Sequence, residues 1–207
     1  MSVRSLDAVT AAEVEKDAEA LARIAGYGPR DVPNVRDICT RLTGFAPMFV
    51  DMTTIDAVKA TIDGHDRLFV RSGTPPRRAR WLALHELGEW HYGRLGESNR
   101  PDTEERCNLF ASALVAPRLV YRGLEKKHGT HHRRIANELE TTESCAFLRR
   151  ADVLGHPAML VRNGYPIVRG RPFAWPELRV EGATPVRIKG VSVAKMRDAP
   201  HVGLRAG

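Results

Sequence analysis

Residues 80–93 read RWLALHELGEWHYG, and this stretch decides how the chain is understood. It comes within one residue of the pattern His-Glu-x-x-His. The second histidine would stand four places after His85, where this chain has Glu89, and the next histidine is His91. On an α-helix, residues four apart lie one turn along the same face. His85 and Glu89 therefore point the same way and can reach one ion. Glu86 sits about 100° around the helix, where it can meet a water beside the ion without binding the ion itself. His91 lies roughly 240° from His85 by the same period, so it does not replace the missing histidine. A histidine near a helix C-terminus is favoured by the helix dipole, and that is the reading for His91.

Zinc accepts carboxylate oxygen as well as imidazole nitrogen, so a His85–Glu89 pair is a permissible start to a metal site. The added negative charge weakens the Lewis acidity and shifts preference toward harder ions such as manganese. An open catalytic site needs a third protein ligand. Residues 103–117, TEERCNLFASALVAP, read as a second long helix with Thr103 as N-cap. Its first turn offers Glu104 and Glu105.

The surrounding pattern is mixed. Residues 6–24 read as an amphipathic helix through Val14, Ala18 and Leu21, closed by Gly26, Gly28 and Pro29. Asn34 is placed to cap a short helix carrying Val35, Ile38 and Leu42. Residues 46–53 read as a strand. Residues 58–70 read as a hairpin turning at Asp63-Gly64. The site helix follows from Pro76 to about Tyr92. Residues 131–155 read as helix, short turn, helix, with Thr142 capping the second. From residue 157 onward the pattern is short β runs, at 158–170 and 178–193.

Composition limits the alternatives. The 207 residues are 43% hydrophobic, enough for a core, and no apolar run approaches a membrane span. The N-terminus lacks the apolar core of a signal peptide, which points to a cytoplasmic protein. Cys39, Cys107 and Cys145 are scattered, form no disulfide framework, and are expected to be buried small hydrophobes. Residues 1–66 hold 7 basic and 11 acidic side chains, 67–155 hold 16 and 11, and 156–207 hold 9 and 3, giving the net +7. The basic C-terminal half could make a weak nucleic-acid contact or reflect only an arginine-rich surface. Arg149 and Arg150 would serve a recognition helix if residues 131–155 read DNA; a structural helix pair packed on the preceding unit is the favoured account.

HELGEWHYG followed by EERCNLFASALVAP resembles the ImmA/IrrE-type metallopeptidases. The resemblance covers roughly residues 33–117 and extends weakly to 155. It places His85 on the first zinc histidine, Glu86 on the general base and Glu89 on the second zinc histidine. Glu105 best fits the third ligand, with Glu104 in reserve. Asn108, Phe110, Ala111, Leu114 and Pro117 match the second-helix signature. The implied fold class is α+β: a zincin-like helical peptidase domain with a small β-sheet over 1–125, a helix-turn-helix-like segment over 126–155, and a basic β-rich part over 156–207. The implied function is a metal-dependent endopeptidase holding zinc, or manganese, and cleaving a helix-turn-helix repressor. The strand near residues 67–70, expected at the edge of the sheet, would hold the substrate backbone by β-augmentation. The alternative is an inactive peptidase-like protein that binds a repressor, toxin partner or DNA without cutting it.

Overall fold

The structure is a computed structural model that describes residues 6–155 and, beyond them, the backbone of four strands. It is mixed α+β. Among the described residues the helices are α1 (Ala8–Ile24), α2 (Val35–Thr43), α3 (Pro76–Arg94), α4 (Thr103–Val115), α5 (Arg118–His128), α6 (His132–Glu138) and α7 (Glu143–Leu154). Strands β1 (Met48–Val50), β2 (Ala57–Ile62) and β3 (His65–Arg71) form one small sheet. Strands β4 (Ala158–Arg162), β5 (Tyr165–Arg169), β6 (Val191–Met196) and β7 (His201–Ala206) form a second, antiparallel sheet in the order β5-β4-β7-β6. The β run expected over 178–193 lies outside the described residues apart from 191–193. No helix among the described residues is long and apolar enough to cross a membrane.

Local chemistry explains the element ends. Asn34 accepts from the Asp37 N–H at the start of α2, and Thr142 accepts from the Cys145 N–H at the start of α7, each satisfying an orphan helix donor. Asp63 and Gly64 both take positive φ, 53° and 75°, the geometry of a two-residue hairpin turn. The start of α4 differs from expectation. Asp102 is the cap residue, and Thr103 instead donates its hydroxyl to the Glu97 and Arg100 carbonyls.

Strand order in the first sheet is β1-β3-β2, with β1 parallel and β2 antiparallel to β3. This corrects the expectation that residues 67–70 form an edge. They lie in the central strand, where β2 pairs along one side and Met48–Val50 meets residues 69–71 on the other. The exposed backbone edges belong to β1 and β2.

Helix α3 runs through the middle of the fold. One side packs Ala79, Leu82 and Ala83 against Val70 of β3. The other packs Leu84 and Leu87 into the core with Phe110 and Leu114 of α4 and Val14 and Leu21 of α1. A helix apolar on most sides belongs in an interior. All three cysteines are buried and free, as composition suggested.

The α6–α7 pair is fastened to the rest by arginines. Arg77 donates to the Asn137 side chain and the Thr141 carbonyl, and Arg80 donates to the Leu139 carbonyl at 2.9 Å. Arg149 is fully buried; it donates to both carboxylate oxygens of Glu15 on α1 and to the Ala116 carbonyl. Arg150 pairs with Glu125 at 3.2 Å. Between Glu143 and Leu154, α7 has no exposed residue. Its residues are buried or half-buried, and its two arginines are held by internal partners, which suits a helix packed on the fold better than one laid in a DNA groove.

Candidate metal centre

The centre lies where α3 crosses α4. The two helices touch at Gly88. A Cβ built there would stand 3.2 Å from Phe110 Cδ1 and 3.3 Å from the Cys107 Cα. That approach sets the first turn of α4 against the His85 face of α3.

His85 Nε2 lies 3.7 Å from Glu89 Oε1 and 3.5 Å from Glu104 Oε2. One ligand atom from each of His85, Glu89 and Glu104 lies within 4.8 Å of the others. The group includes Glu104 and not Glu105. The reason is rotation about the α4 axis. Glu104 precedes Cys107 by three residues, Asn108 by four and Ala111 by seven, so it shares the stripe that faces α3. Glu105 is turned about 100° away. That stripe was the sequence signal for Glu104. Asn108 reinforces it by donating to Glu104 Oε1 at 3.3 Å.

Burial grades the site. The His85 side chain is 8% exposed, Glu89 40% and Glu104 68%. The Trp81 ring lies beside the imidazole, 5.3 Å between centroids. Burial opposes a charge on His85, but Glu104 and then Glu89 overcome it and hold the imidazole up at about 9. The two carboxylates thus call for a positive charge at Nε2, which a proton or a metal ion satisfies. Ligand atoms around one zinc ion sit about 2.0–2.2 Å from it, so three donors this close together fit a single divalent cation. Nδ1 of His85 is buried without a hydrogen-bond partner, and Nε2 is the nitrogen that faces the two carboxylates.

Glu86 is buried beside the group. Burial raises its carboxyl to about 7, the Glu89 charge adds to the rise, and the Lys59 backbone N–H of β2 pulls against it. A carboxylate near neutrality can both accept and return a proton. The Cys107 thiol is driven well above its ordinary range by burial and neighbouring carboxylates, so it stays protonated and is a packing group.

His91 faces elsewhere, as its position on the helix requires. Its ring stacks on Phe110 at 5.8 Å, and Nε2 lies 3.8 Å from Asp17 on α1.

Neither a family model nor a curated protein sequence matches this chain. Among solved structures, a Mycobacterium tuberculosis transcriptional regulator shares the fold. It has a TM-score of 0.66 at 17% identity, over 94% of this chain and 87% of that one.

Proposed function

We propose that this chain is a metal-dependent endopeptidase of the ImmA/IrrE type, holding zinc or manganese through His85, Glu89 and Glu104. The observation that carries the reading is the convergence of those three side chains beside a buried Glu86 whose carboxyl sits near neutrality. A bound divalent cation supplies Lewis acidity, acidifying water and polarising a carbonyl. Glu86 takes a proton from the attacking water and returns it to the leaving amine nitrogen. The Lys59 N–H holds the Glu86 carboxylate in place from β2, and Trp81 shields His85. The outer edge of β2, beside Glu86, is the element that would align an extended substrate by adding a strand. Resemblance to the family points to a helix-turn-helix repressor as that substrate. On this reading residues 1–125 are the peptidase unit and 126–155 a structural helix pair docked on it.

A second reading has one specific observation in its favour. Glu89 brings a second carboxylate where a histidine would keep the ion more acidic, which weakens the chemistry. The chain would then bind a repressor, toxin partner or DNA without cleavage. That the similar structure is named a transcriptional regulator accommodates both.

The test is metal content together with cleavage of purified helix-turn-helix repressors. Mass spectrometry should find close to one equivalent of zinc or manganese. Glu86→Gln should keep the metal and lower cleavage by about 100-fold or more. A protein that takes up no ion on dialysis against either metal sinks the peptidase reading.

A further inference from the structure

The second half of α5 and the first turn of α6 carry a run of exposed basic side chains. Residues 118–134, RLVYRGLEKKHGTHHRR, hold six basic side chains and one acidic. Arg122, Lys126, Lys127, Arg133 and Arg134 are exposed. The one acid, Glu125, is engaged by Arg150. A tight turn joins the helices, with the His131 N–H donating to the His128 carbonyl. Lys127 reaches across to Glu138 at 2.8 Å and holds α5 beside α6. Among the described residues, Arg122, Lys126, Arg133 and Arg134 form no ion pair. The arginines around the core behave differently: Arg71 and Arg78 share Asp56, Arg106 meets Glu97, and Arg149 meets Glu15.

Helix dipoles do not account for this surface. Lys126 and Lys127 suit the C-terminal end of α5. Arg133 and Arg134 stand in the first turn of α6, where cations are disfavoured, with no acid in that turn and no side-chain cap. Four exposed cations thus stand without an acidic partner among the described residues, and a polyanion would supply one.

We propose that this surface binds the phosphate backbone of a nucleic-acid duplex without reading its sequence. Guanidinium groups suit phosphate. A protein partner would need an apolar or aromatic centre, and the large exposed hydrophobic of this stretch, Leu119, stands on the first turn of α5, away from the charged end. Base readout is not expected from α7, whose residues are all buried or half-buried. This surface shares no residue with the metal centre.

Fluorescence polarisation of the full chain with a labelled duplex of about 20 bp tests it. With four phosphates neutralised, affinity should fall on the order of 100-fold between about 50 and 200 mM salt, and scrambling the sequence should change nothing. Combining Arg122→Glu, Lys126→Glu, Arg133→Glu and Arg134→Glu should cost at least about tenfold in affinity at the lower salt while the thermal unfolding curve stays cooperative. Glu86→Gln should bind as the parent does. No binding at about 50 mM salt would overturn the proposal. So would undiminished binding by the quadruple variant, or tighter binding to polyglutamate than to the duplex.

Discussion

Glu104 Oε2 lies 3.5 Å from His85 Nε2, on a different helix, at a distance set by the glycine contact between the two helices. Glu105, its chain neighbour, stays outside the group. The first prediction separates the two. Glu104→Gln should weaken zinc or manganese binding by about 10-fold or more, while Glu105→Gln should leave it within about twofold, on the scale of losses at metal-ligand shells. Isothermal titration of the metal-depleted protein reads the difference. Equal losses would mean that α4 is rotated relative to the arrangement described. In the same assay Glu89→His should raise zinc affinity, since it restores an imidazole to the set.

How much of this could be read from the chain alone follows from the range of the interactions. The helices α3 and α4, the Asp63-Gly64 turn and the caps at Asn34 and Thr142 rest on neighbours a few residues apart, and all were legible. So was the pairing of His85 with Glu89, one helical turn away. The choice between Glu104 and Glu105 was not settled, because it depends on how α4 rotates when Cys107 and Phe110 pack on Gly88. The central place of β3 depends on a parallel partner, β1, only three residues long. Whether Arg149 faced outward or inward could not be read from the chain, because its partner, Glu15, stands 134 residues earlier.

The metal-free protein should become less stable as pH rises. His85 is held at about 9 against 6.5. Its raised value contributes stability that is complete below about 6.5 and lost as pH climbs through about 9. Glu86 is raised to about 7 from 4.5. The folded state binds its proton more tightly than the unfolded state does, so stability falls between those two values as well. The two effects have the same sign. Melting temperature without metal should drop by a few degrees between about pH 6 and pH 9. Zinc or manganese should flatten that slope, because the ion supplies the positive charge that the proton otherwise brings, and binding near pH 7 should release protons. A melting temperature that rises with pH over this range would contradict the electrostatics described for His85.

Gly88 tests the helix crossing itself. Its added methyl would press on Phe110 and on the Cys107 backbone at 3.2–3.3 Å. The aromatic ring can yield slightly but the backbone cannot, so Gly88→Ala should open the α3–α4 contact. The gain in helix propensity from glycine to alanine, about 1 kcal/mol, opposes an overpacking cost of about 1–3 kcal/mol. Net stability should therefore change little or fall by up to about 2 kcal/mol. Metal affinity should fall more clearly, since Glu104 moves with α4. Denaturant unfolding and metal titration on the same variant read the two effects. Unchanged affinity would show that Glu104 reaches His85 without the close crossing.

The last prediction concerns the ion pair that ties the first helix to the last. Arg149 is fully buried, and both carboxylate oxygens of Glu15 accept from it. Arg118 approaches the same carboxylate at 3.8 Å and also donates to the Val153 and Asp152 carbonyls. Replacing Arg149 alone with Met leaves Glu15 buried, with only the more distant Arg118 to balance it. The expected loss is about 3–5 kcal/mol, the scale for breaking a buried pair from one side. Pairing Arg149→Met with Glu15→Leu removes both charges, and the double variant should recover much of that loss. Urea unfolding of the four proteins in the cycle gives the coupling energy directly. If the single and double variants are equally destabilised, packing of the arginine stem and not the ion pair is what joins α1 to α7. A large coupling would establish the Arg149–Glu15 pair as a direct tie between α1 and α7, and loosening it should then lower metal affinity at the His85 group, to which α7 supplies no side chain.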